Sequence, residues 1–158
     1  MKKKILYIVM GILLAIQFIQ PDRSNPPLEP GRTIDAFVTI PENVRTKLRD
    51  ACFDCHSHET KWPWYSYIAP VSWLISRDVA AGRSELNFSN WAKYSRGRAG
   101  EKLAQMAEQV SSKEMPLPIY PPLHPKARLT DDERKMISDW AEQESEVQSE
   151  MAEEGNND

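Results

Sequence analysis

ACFDCHSHETKWPWYSY, residues 51–67, contains the only two cysteines of the chain, Cys52 and Cys55, and a histidine, His56, directly behind the second. Four chemistries compete for that spacing: a disulfide, a zinc site, a dithiol redox pair and C-x-x-C-H attachment of haem. Residues three and four apart share one face of a helix, so Cys52, Cys55 and His56 project together. After Pro41, the residues Val44, Leu48, Cys52 and Cys55 recur at i, i+4, i+8 and i+11, which predicts a single helix carrying the motif on one face. That face suits two thioethers to porphyrin vinyl groups, with the imidazole reaching the iron from one side.

The rivals lack supporting residues. A closed zinc site needs four placed ligands, and beyond this motif only His58 and the isolated His124 remain. A zinc-binding structural module therefore stands as the remote alternative. A thioredoxin-like pair expects a βαβ context, and no alternating strand pattern is visible. A disulfide closing over two intervening residues would add little beyond local strain.

Working outward, Lys2, Lys3 and Lys4 precede ILYIVMGILLAIQFI, residues 5–19, interrupted only by Gln17. Such a run falls between a signal-peptide core and a full membrane span. Bulky residues follow Ala15 where a cleavage site would want small ones, so an uncleaved anchor is expected over residues 1–20. The lysines place the N-terminus in the cytoplasm and the rest of the chain outside it. Residues 21–37 begin with PDRSNPPLEPGR, whose four prolines read as a semi-extended spacer. From Glu142 to the end, seven acidic residues occur without Lys or Arg, giving an acidic tail over 142–158 that is expected to fray.

The chain of 158 residues is 41% apolar and 27% charged, which suits one domain with extensions and excludes a multi-span membrane protein. Its formal charge is −3, and removing the three leading lysines takes it from −3 to −6. That balance argues against a nucleic-acid partner.

Helical spacing dominates residues 38–141. Leu74, Ile75 and Val79 predict a short helix stopped at Gly82, and Phe88 with Trp91 a further turn. Leu103, Met106, Ala107 and Val110 mark an amphipathic helix. SSKEMPLPIYPPLHPKAR, residues 111–128, has five prolines and must be a long loop. Thr130 and Glu133 form a capping box ahead of Met136, Ile137 and Trp140, the last helix. The expected class is all-α: a small helical domain with long proline-rich loops, preceded by one N-terminal membrane helix. Roughly 100 residues arranged so sparsely struggle to offset chain entropy, and an apolar group at the centre would supply the missing core.

A second axial ligand must come from a segment that folds across the other face of the haem. Met115 is the natural candidate, since it lies outside the helices between charges and prolines, and a thioether opposite histidine raises the reduction potential. His124, His58 and an open position remain alternatives. Met106 and Met136 read as core fillers. Trp62, Trp64, Tyr65, Tyr67 and Trp73 read mostly as aromatic core around a flat ring. Arg77 or Arg83 could pair with haem carboxylates, with solvent-facing arginine as the default reading.

CFDCHSHETKWPWYSYIAPVSWLISRDVAAGRSELNFSNW, with EMPLPIY and LTDDERKMISDW, resembles the bacterial haem-binding domain family of the class-I-like cytochrome c group. The resemblance covers about residues 38–141. It implies one covalently bound haem c in a cytochrome c-like helical fold, tethered on the periplasmic side of the bacterial inner membrane. By position it implies Cys52 and Cys55 as attachment points, His56 as proximal ligand and Met115 as distal ligand. The long aromatic segment after His56 departs from ordinary soluble cytochromes c. The expected function is single-electron transfer with periplasmic or membrane redox proteins, not enzymatic turnover. A haem-based redox or gas sensor, or an accessory haem domain of a periplasmic oxidoreductase, is the alternative.

Overall fold

The structure is a computed structural model that describes residues 1–155. All regular structure among these residues is helical, as the spacing predicts. The α-helices are α1 (Lys2–Ala15), α2 (Glu42–Ala51), α3 (Phe53–His56), α4 (Val71–Glu85), α5 (Arg96–Ser111) and α6 (Asp131–Glu154), joined by loops and short 3-10 turns.

The most extensive packing is between α5 and α6. Leu103, Ala107 and Val110 of α5 and Ile137 and Ala141 of α6 are essentially inaccessible, joined in the core by Leu48 and Val44 of α2 and by Ile34. Burying a side chain such as Leu103 or Ile137 contributes about 1.5–3 kcal/mol. Gly100 permits the close approach: a Cβ there would lie 2.8 Å from Ser149 Oγ and 3.0 Å from the Ser145 carbonyl oxygen. The expected capping box starts α6, with Thr130 Oγ1 accepting from the Glu133 N–H and Glu133 from the Thr130 N–H. Glu133 also pairs with Lys47 at 2.6 Å, tying this end of α6 to α2.

Three expectations require correction. The helix carrying the motif is not continuous: α2 ends at Ala51, and Cys52, at φ −125° and ψ −37°, separates it from α3. The Cys55 and His56 N–H groups still donate to the Cys52 carbonyl, so the motif keeps a helical turn of its own. Gly82 does not stop α4, which runs through it to Glu85. The acidic segment is not frayed, for α6 continues to Glu154 with Gln148 buried. Its side facing α5 is neutral and small, at Ala141, Ser145, Gln148 and Ser149, so the carboxylates occupy the solvent side. Residues 156–158 of the expected tail lie outside the described residues.

The N-terminal segment forms a short helix. No helix among the described residues is long and apolar enough to cross a membrane. α1 has 14 residues, all exposed, and a 3-10 turn at Ile16–Phe18 follows it. Nor is the following segment a detached spacer. Gln17 donates to the Ala69 carbonyl and accepts from its N–H, both at 3.0 Å. Arg83 donates to Asn25 Oδ1 at 2.6 Å. The connector is therefore hydrogen-bonded along the domain surface.

Candidate functional site

A cavity of about 700 Å³ opens between α3, α4, α5 and the proline-rich loop. Cys52, Cys55 and His56 border it, as do Met115, Leu117 and Ile119 from a segment some sixty residues later. Cofactor-sized pockets run from ~300 to ~1,000 Å³ and are mostly apolar, with few placed polar groups. Val71 and Leu74 of α4, exposed to solvent at 42% and 36%, also line it, so their exposure is to the cavity.

His56 is held by backbone. Its Nδ1 lies 3.0 Å from the Gly82 carbonyl oxygen and 3.1 Å from that of Leu86. Carbonyls only accept, so Nδ1 carries the proton, and the Nε2 lone pair is left for a metal. Burial lowers the His56 pKa below its ordinary 6.5, favouring the neutral imidazole that ligation requires. The ring packs at 6.3 Å from Phe88, itself stacked on Phe53 at 5.0 Å.

Gly82 is the residue that lets α4 deliver that carbonyl. A Cβ there would lie 2.6 Å from the Cys55 carbonyl oxygen, below any real contact. Sequence reading placed this glycine at a helix end; its actual role is the α3–α4 contact.

Cys52 and Cys55 are both free thiols. Burial pushes Cys52 up to about 12 and Cys55 up to about 11. A dithiol redox centre needs a lowered thiol pKa, so this environment is the reverse of what that reading requires. Among the described residues no group of three or more His, Cys, Asp or Glu could hold a metal ion, which leaves the zinc reading without a ligand set.

Met115 is anchored through its backbone. Its N–H donates to the Gln109 carbonyl at 2.9 Å, and Arg134 Nη1 donates to the carbonyls of Met115 at 2.6 Å and Val110 at 3.0 Å. Arg134 was not legible as a site residue, because a cation four residues into a capped helix reads as solvated surface. Met106, read as core filler, is buried and also borders the cavity.

The two other histidines are engaged elsewhere. His58 Nε2 accepts from Asn87 at 3.1 Å, its Nδ1 faces the Pro27 carbonyl at 3.3 Å, and it is not among the lining residues. His124 borders the cavity, but its Nε2 lies 2.6 Å from the Tyr65 hydroxyl and its ring stacks on Tyr120 at 3.9 Å. The Tyr120 hydroxyl donates to Asp54 Oδ2 at 2.7 Å, completing a polar cluster along one border.

The aromatic expectation holds only in part. Of the five aromatics in residues 62–73, Tyr65 alone lines the cavity. Trp64, Tyr67 and Trp73 face outward, and Trp62 is half-buried with its Nε1 lacking an acceptor among the described residues. Of the two arginines, one is engaged within the domain and the other is turned to solvent, the default for such residues. Arg83 is committed to the Ser57 carbonyl at 2.8 Å, Thr60 Oγ1 at 2.9 Å and Asn25. Arg77 pairs with Asp78 and is 76% exposed. The cations that do border the cavity are Lys61 and Lys102.

These observations fit the haem that the sequence implies: an apolar-walled space of cofactor size, two thiols, an imidazole with its tautomer fixed, a thioether, and a buried indole donor between two lining residues, Lys61 and Pro63. The family model described as "Haem-binding domain" matches residues 11–143. No curated protein and no solved structure matches the chain.

Proposed function

This chain belongs to the haem-binding domain family, a premise from which we propose that it is a single-haem, c-type, cytochrome c-like electron carrier held at the periplasmic face of the bacterial inner membrane. The observation that carries the reading is the convergence of Cys52, Cys55, His56 and Met115 on one apolar cavity.

The bound haem supplies the iron whose one-electron change the domain relays. Cys52 and Cys55 would hold the haem through two thioethers, each thiol adding across a vinyl C=C so that sulfur bonds one carbon and the thiol hydrogen goes to the other, with no net oxidation. His56 would offer Nε2 to the iron, because the Gly82 and Leu86 carbonyls hold the proton on Nδ1. Met115, its backbone steadied by Arg134, would supply a thioether to the iron. The apolar walls keep water from the ring and lower the reorganisation that accompanies a charge change. With His56 and Met115 both holding the iron, no position would remain for a substrate, and the role would be electron transfer rather than catalysis.

α1 is the tether, with Lys2–Lys4 on the cytoplasmic side and the partners being redox proteins of the periplasm or membrane. Its 14 residues rise about 21 Å, less than a hydrocarbon core of about 30 Å, so the tether works with local bilayer thinning or a further apolar contact.

The test is a pyridine haemochrome spectrum of protein matured in an export-competent host, with ferric-state spectra of the methionine variants. A haem c spectrum and a weak far-red Met–iron band support the reading. Rapid carbon monoxide binding to the untreated ferrous protein would instead indicate a labile sixth position and a sensor.

A further inference from the structure

The exposed apolar residues of the domain fall into two sets. Val71, Leu74, Leu117, Ile119 and Leu123 border the cavity, and a bound haem accounts for them. Trp64, Tyr67, Ile68 and Trp73, at 75%, 53%, 45% and 36% exposure, do not border it. Haem leaves this second set uncovered.

Its position relative to the N-terminus is fixed by hydrogen bonds. Trp73 Nε1 donates to the Ile19 carbonyl at 2.7 Å. Gln17 grips the Ala69 backbone through both ends of its carboxamide. The Arg23 guanidinium lies 4.4 Å over the Tyr67 ring. Phe18 and Ile19, 91% and 64% exposed, continue the apolar surface from the end of α1 into the aromatic segment. Two tryptophans and a tyrosine thus stand where a wholly exposed apolar helix meets a polar domain. Amphipathic rings of that kind concentrate at the level of lipid headgroups, and contiguous apolar patches mark interaction surfaces.

We propose that Trp64, Tyr67, Ile68 and Trp73 form a lipid-docking face that rests in the interfacial zone of the bilayer entered by α1. This inference depends on the membrane tether proposed above. The docked face supplies apolar contact that a 14-residue helix lacks, and with the hydrogen-bonded connector it gives the domain one orientation on the bilayer.

The experiment uses the full haem-loaded chain, labelled with 5-fluorotryptophan, in lipid nanodiscs in the diamagnetic ferrous state. Its five tryptophan resonances are assigned with Trp64→Phe and Trp73→Phe. Doxyl-labelled lipid is expected to erase the Trp64 and Trp73 signals, while a water-soluble gadolinium chelate leaves them intact. Trp91 and Trp140, buried in the core, serve as the unbroadened reference. If the chain co-purifies with nanodiscs but the chelate erases Trp64, the tether stands and the docking face is refuted. Protection from both reagents means another protein surface, such as a second copy, covers the patch, and also refutes it. Failure to co-purify with nanodiscs refutes the tether and the docking face together.

Discussion

A Cβ placed on Gly82 would lie 2.6 Å from the carbonyl oxygen of Cys55. The same Gly82 accepts from His56 Nδ1, so one glycine sets both the spacing of α3 against α4 and the orientation of the His56 imidazole. Replacing a mid-helix glycine by alanine ordinarily stabilises a helix by about 1 kcal/mol. Here the neighbour is backbone and cannot yield, so Gly82→Ala is expected to cost about 1–3 kcal/mol net. Chemical denaturation measures this, and haem content per chain should fall with it.

Arg134 holds the backbone at Met115 and Val110. Arg134→Ala removes two hydrogen bonds from a charged donor, each of a kind contributing about 1.5–3 kcal/mol. The expected result is full haem attachment with a weakened far-red Met–iron band and a lowered reduction potential. A merely structural arginine would lower stability and leave the band of the folded fraction unchanged.

Met115→Ala should abolish that band, whereas His124→Ala and Met106→Leu should keep it. Absorption spectra of the three ferric variants decide the distal ligand. Loss of the band in the Met106 variant alone would move the assignment to α5.

His124 supplies the pH dependence. Burial lowers its pKa, against a smaller opposing pull from Asp54, and Tyr65, Tyr120 and Asp54 are the titratable groups of its cluster. A histidine whose folded pKa lies below its unfolded value contributes stability that is present above about 6.5 and lost as pH falls through the folded pKa. Denaturation midpoints of the wild type should therefore drop more steeply below pH 6.5 than those of His124→Gln, and the His124 ring protons should titrate below 6.5 by NMR.

Periodicity made the core faces legible. Val44 and Leu48 of α2 and Leu103, Ala107 and Val110 of α5 are buried as their spacing predicts, and the Thr130–Glu133 cap starts α6. The motif residues converge on one cavity because their spacing is local. What depends on tertiary approach was not legible. Nothing in the sequence signals that Cys52 breaks the helix, that Gly82 and Gly100 serve close contacts, or that Arg134 reaches back to Met115. The aromatic cluster misled for a related reason: composition reveals affinity for apolar surroundings, not whether those surroundings lie inside the domain or outside it.

The central claim is that Cys52 and Cys55 hold haem through carbon–sulfur bonds. Its most direct test is acid–organic extraction of the exported protein, followed by mass spectrometry of the peptide spanning Cys52 to His56. The account predicts that colour stays with the protein and that this peptide carries the added mass of one haem. A colourless extracted protein whose peptide shows two unmodified thiols would contradict it.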